Sequence, residues 1–119
     1  MHIVAQVLAG LVLLIHVYIF LLETVLFDSR GRKVFGLTRE NAVIMKPAMS
    51  NQGCYNGFLA VALALGFLLP DAATGRAFTI YGLACVAVAG IWGAMTVQIR
   101  ILFVQTVPAV LALAALFLA

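Results

Sequence analysis

The sequence predicts an all-α, integral-membrane fold, a four-transmembrane-helix bundle in a single domain, and three observations carry that expectation. Hydrophobic residues fill 66% of the 119 positions and charged ones 9%, where an average soluble domain is roughly half apolar and about a quarter charged. The apolar residues gather into four runs, each comparable with a hydrocarbon core about 30 Å thick. The charges collect between the runs, and no polar stretch is longer than about 23 residues, so no separate soluble module fits.

The first span is expected over residues 3–27, about 37 Å of helix and enough to cross with tilt. The run Asp28-Ser29-Arg30-Gly31-Arg32-Lys33 ends it. It reads as a retained span rather than a cleaved signal, because only His2 precedes the apolar run and no small-residue cleavage site follows it. Thr38 is a candidate N-cap, with Glu40 in the first turn where the helix dipole favours an anion. A helix starting there runs into a second span over 51–69, with a kink expected at Pro47 and an end at Pro70-Asp71. The third and fourth spans are expected over 77–97 and 101–118. One helix over 77–118 would be about 63 Å long, twice the hydrocarbon thickness. The chain must therefore turn at Gln98-Ile99-Arg100, although no Gly or Pro marks the place.

Basic residues set the expected orientation. The connections after the first and third spans carry six of the seven Lys and Arg residues, and Arg76 stands alone on the other side. The positive-inside bias places the basic loop 28–50 and residues 98–100 in the cytoplasm. Both termini are then extracytoplasmic in a multi-pass protein of the cell inner (plasma) membrane. The net charge of +3 does not suggest nucleic acid, because the basic residues sit in one inter-span segment rather than along a groove or helix face.

Within lipid, helices associate where small residues let backbones approach. Gly53, Gly57, Ala60 and Ala64 form one such stripe and Gly82, Cys85, Ala89 and Gly93 another. They serve packing within the chain, or a homo-oligomer face. On this reading Gly57→Leu should be far worse than Gly66→Leu. Cys54 and Cys85 read as small buried hydrophobes, with no spacing that supports a disulfide or a metal pair.

Three stretches resemble a family of small bacterial membrane proteins known as domain of unknown function thirteen-zero-four. They are Gly31-Arg32-Lys33-Val34-Phe35-Gly36-Leu37-Thr38, then Asn51-Gln52-Gly53-Cys54-Tyr55-Asn56-Gly57-Phe58-Leu59-Ala60, then Ile101-Leu102-Phe103-Val104-Gln105 with Pro108-Ala109. The resemblance covers nearly the whole chain, and the Asn-Gln-Gly-x-Tyr-Asn-Gly stretch is its specific part. It implies a four-span membrane fold and lends no activity.

Polar groups within the spans are the candidate site. An acid at mid-helix costs about 2.5–3.5 kcal/mol on insertion scales, so such groups face the interior and find partners. Glu23 lies roughly 6 Å inside the first span. Asn51 and Gln52 stand at the mouth of the second and Asn56 about one turn deeper, with Tyr55 a further candidate beside it. Gln98 and Arg100 close the third, and Gln105 lies about one turn into the fourth. All four spans thus bring a polar group to one level under the cytoplasmic leaflet. Gln52 and Asn56 are about 40° apart on one helix, and His16 shares a face with Glu23 about 10 Å deeper. That spacing is too wide for one metal ion, and no metal, phosphate-loop or hydrolase motif is present. No cofactor and no catalytic residue is expected.

Each group also has a plainer role open to it. Glu23 as a structural acid, His16 as a packed histidine, Tyr55 as an interface aromatic and Arg100 as a headgroup anchor account for the same residues. Three functions follow. The first is binding or transport of a small amphipathic molecule or a proton-coupled solute at the polar chamber. The second is an accessory subunit whose polar groups only lock the helices together. The third is an enzyme acting on a lipid or quinone with Glu23 or His16 as acid/base. The first is the preferred expectation, and enzyme activity is not favoured.

Overall fold

A computed structural model describes residues 2–118, and all regular structure among them is helical. Helix α1 covers Ile3–Glu23, α2 is the short turn Arg32–Val34, and α3 covers Arg39–Leu68. Helix α4 covers Ala72–Thr96 and α5 covers Val107–Leu118, with π-helical turns at Phe27–Gly31 and Leu102–Thr106.

The boundaries differ from the expected spans for local reasons. Helix α1 stops at Glu23 instead of continuing to 27, because the ladder slips. Both Thr24 N–H and Leu26 N–H donate to Leu21 O, at 3.3 and 2.9 Å, and Gly31 N–H reaches back to Leu26 O at 2.7 Å. Gly31 is required there: a Cβ would run into the carbonyl oxygen of Leu22. The chain then reverses at Gly36, whose φ of +70° is open to glycine at little cost.

The expected loop over 28–50 is corrected over its second half, since residues 39–50 are the opening turns of α3. Thr38 caps it as expected, its hydroxyl accepting from Asn41 N–H at 3.1 Å. The helix runs on through Pro47, which removes a single donor, and ends just before Pro70. Helix α4 begins at Ala72, five residues earlier than expected, because Asp71 caps it. The Asp71 carboxylate accepts from the Thr74 hydroxyl at 2.5 Å and from Thr74 N–H at 3.0 Å. Those two bonds, the side-chain one first, hold its carboxyl below the usual aspartate range.

The turn between α4 and the last helix falls where length demanded it. Val97 and Gln98 N–H both close on Gly93 O, at 2.8 and 3.2 Å, and Ile101 N–H closes on Gln98 O at 3.2 Å. The π-turn that follows sits directly before Pro108. A proline ring pushes away the carbonyl four residues back, and Val107 N–H bonds instead to Leu102 O, five residues back.

The chain forms two compact units, residues 16–58 and the remainder. In the larger unit Ala9, Val12, Leu63, Leu83, Val86, Ala87, Ala109 and Ala112 make one buried core, drawn from α1, α3, α4 and α5. Half of these side chains are alanine, which lets the backbones approach. Gly66 faces Gly75 and Thr79, Gly82 faces Leu63, Gly90 faces Thr106 and Gly93 faces Ile101. The α4 glycines thus serve two neighbours, α3 through Gly82 and the last helix through Gly90 and Gly93, and α4 runs antiparallel to both.

Large apolar side chains stand on the outside. Leu14, Leu68, Trp92 and Met95 are 68–76% exposed, while His16, Glu23, Asn56, Thr79 and Thr106 are buried. Two helices are long and apolar enough to cross a membrane, α1 with mean hydropathy 2.4 and α4 with 1.8. The run Leu102–Leu118 is apolar but shorter. Helix α3 carries Arg39, Glu40, Lys46, Asn51 and Gln52 in its first half and Asn56 just beyond its midpoint, and those groups dilute its apolar remainder.

Candidate functional site

Within residues 16–58 the end of α1 and the first half of α3 pack antiparallel, and glycines set how closely. A Cβ at Gly53 would stand 2.7 Å from Thr24 Cγ2 and 3.0 Å from Glu23 Cβ. A Cβ at Gly57 would stand 3.1 Å from the Phe20 ring. The α3 backbone therefore rests against Phe20, Glu23 and Thr24. Asn56, one turn beyond Gly53, is carried to the carboxylate, and its Nδ2 donates to Glu23 Oε1 at 2.5 Å. Glu23 is 6% exposed and Asn56 4%. Thr24 spends its hydroxyl on Phe20 O at 2.6 Å and leaves its methyl to the glycine.

The charged groups of this unit find partners elsewhere. Lys46 pairs with Asp28 at 2.6 Å on the surface. Arg30 donates to the Tyr18 hydroxyl at 2.5 Å and lies over its ring. Arg32 donates to Leu37 O at 3.3 Å. Among the described residues the ion pair is Lys46–Asp28, so Glu23 is buried against a neutral amide.

The other expected site residues divide plainly. His16 is fully buried and is engaged in an interaction of its own. Asn51, Gln52 and Tyr55 are exposed, Tyr55 meeting the Phe58 ring edge-on at 5.9 Å. The angle of about 40° between Gln52 and Asn56 straddles the edge of the buried face. Gln98 and Arg100 are exposed and Gln105 is half-buried, and these three belong to the other unit. Both cysteines are free, Cys54 exposed and Cys85 half-buried. Among the described residues no three His, Cys, Asp or Glu side chains gather closely enough to hold a metal ion.

Sequence reasoning missed the threonines. Thr79 and Thr24 hide their hydroxyls on the carbonyls four residues back, as helical threonines do. Thr106 instead reaches Ala87 O on another helix at 2.9 Å, across Gly90. The combination of a glycine on one helix and a threonine just before Pro108 on the next was the available signal.

Residues 10–117 match the family model described as "Protein of unknown function (DUF1304)". No curated protein and no solved structure matches the chain.

Proposed function

Since the chain belongs to the DUF1304 family of proteins of unknown function, which brings no activity with it, we propose a role from the geometry: a multi-pass membrane protein that binds or transports a small amphipathic, proton-coupled solute at Glu23–Asn56. The membrane placement is supported by the outward-facing Leu14, Leu68, Trp92 and Met95 around a small-residue core with buried polar groups. A surface that apolar is expected to meet lipid or a partner rather than water. On this reading the four segments in α1, α3, α4 and Leu102–Leu118 each cross the inner membrane, α3 by its apolar half. The basic asymmetry puts residues 28–50 in the cytoplasm and both termini outside. Fusions of a cytoplasm-active and a periplasm-active reporter to the C-terminus check the orientation, with activity expected only from the second.

The observation that carries the function is the Glu23 carboxylate, buried and bonded to a neutral amide with no Lys or Arg of its own unit beside it. An acid so placed balances its charge with a proton or with a cation brought to it. The site therefore favours a solute that carries positive charge or exchanges with a proton. Tetraphenylphosphonium is a suitable probe, binding to the purified full chain being followed by equilibrium dialysis. Glu23→Gln retains an acceptor for Asn56 and is expected to fold, yet to bind the probe at least ten-fold more weakly, a loss of about 1.4 kcal/mol. Equal binding by both proteins removes the proposal.

A second reading, an accessory subunit locked by its polar groups, draws support from one observation: among the described residues no buried side-chain polar atom lacks a partner. It expects no probe binding by either protein.

A further inference from the structure

A second place, in the larger unit, has the features of a ligand site. A cleft of about 340 Å³ opens beside the turn from α3 to α4, lined by Gln6, Gly66, Phe67, Leu69, Ala73 and Arg76 among others. It falls at the small end of ligand pockets. Its floor is low because Gly66 and Gly75 bring the two backbones together, a Cβ on Gly75 standing 3.0 Å from Gly66 O. Its walls are polar and apolar in comparable measure, and the lining residues with polar side chains are Gln6 and Arg76.

Arg76 is positioned and, among the described residues, has no acid paired with it. Its guanidinium lies over the Phe117 ring, 5.4 Å from the centroid, which holds the side chain without cancelling its charge. The acid nearest in sequence, Asp71, spends its carboxylate on Thr74 as the cap of α4. The ion pair among the described residues is Lys46–Asp28. Among the described residues Arg76 therefore presents an unpaired cation about one turn, roughly 6 Å, inside the start of α4. For a membrane-crossing helix that is headgroup depth.

We propose that this cleft binds the phosphate of an anionic phospholipid, with Arg76 and Gln6 donating to the phosphate oxygens. A guanidinium offers a planar fork of donors that matches phosphate geometry. Phe67, 40% exposed, and the exposed Ala73 leave the rim open to acyl chains, which is why a lipid rather than a soluble phosphate is the occupant. The proposal rests on the membrane placement given above and is independent of Glu23.

The test uses the full chain, extracted from membranes into dodecyl maltoside, with lipid binding read by native mass spectrometry. Phosphatidylglycerol is expected to bind at least five-fold more tightly than phosphatidylcholine. Arg76→Gln should abolish that preference, Arg76→Lys should keep part of it, and Lys33→Gln, outside the cleft, should leave it whole. Ala73→Trp, which fills the cleft with Arg76 intact, should also lower the affinity. A preference that survives in Arg76→Gln and Ala73→Trp overturns the site, as does its loss in Lys33→Gln, which would mark a general surface-charge effect. Inorganic phosphate competing equally well overturns the lipid assignment. The same preparation separates the two readings: a chain found in the soluble fraction fails the membrane placement, whereas membrane-extracted protein indifferent to phosphatidylglycerol fails this site alone.

Discussion

Gly66→Ala is expected to destabilise the protein by about 2–3 kcal/mol, in the range of overpacked core positions, whereas Gly57→Ala is expected to cost under about 1 kcal/mol. That ranking is opposite to the one expected for the leucine variants from the small-residue stripe, which holds Gly57 and not Gly66. The new Cβ at 66 would overlap Thr79 Oγ1 outright and press on Gly75 O at 3.2 Å. Thr79 is 1% exposed and its hydroxyl is tied to Gly75 O at 3.1 Å. Rotating it would only bring its methyl into the same space, because a β-branched side chain has few rotamers in a helix. At Gly57 the obstacle is the edge of the half-buried Phe20 ring, 3.1 and 3.2 Å away, and a ring can swing aside. The gain in helix propensity from Gly to Ala, up to about 1 kcal/mol, offsets much of what remains. Detergent-denaturation curves in mixed micelles measure both. Gly66→Ala with Thr79→Ala should recover most of the loss. A wild-type curve for Gly66→Ala alone would show that α3 and α4 are not held together at this point.

The second large effect is expected at the buried pair. Asn56→Leu takes the donor from the Glu23 carboxyl and should cost about 1.5–3 kcal/mol, the range for hydrogen bonds to charged groups. Glu23→Leu should cost less, because a stranded amide is cheaper than a stranded acid. The double change to leucine should be close to wild type in stability, since replacing both partners by apolar groups of similar shape is often neutral or better. It should also lose all probe binding. The coupling energy from that cycle, read from the same denaturation curves, is expected to exceed about 1 kcal/mol. Additive single changes would mean that the bond of 2.5 Å contributes nothing to holding α1 against α3.

How much of this was legible beforehand depended on whether a feature was local. Thr38 could be read as a cap because a hydroxyl three residues before an N–H needs only local geometry. The turn at residues 98–100 could be read from length alone. Asp71 carried the same kind of signal before Thr74 and was passed over because Pro70 drew the boundary. The all-helical class followed from composition, and the candidacy of Glu23, with Asn51, Gln52, Asn56, Arg100 and Gln105 as its possible partners, followed from the cost of placing polar groups between apolar ones.

What the sequence by itself determined, then, is the helical class, the family, most helix ends and the candidate acid, Glu23, with several possible partners. Each follows from backbone hydrogen bonding within a few residues or from the cost of burying charge. Only the tertiary structure decided which neighbour each polar group and each glycine meets. Asn56 and not Gln52 reaches Glu23, because Gly53 sets the approach of α3 and one turn later a single side chain points at the carboxylate. Gly66 and not Gly57 is the tight crossing, because Thr79 lies opposite it and Phe20 lies opposite the other. A helical period places residues on a face of their own helix; what stands across from that face is set by how the helices pair.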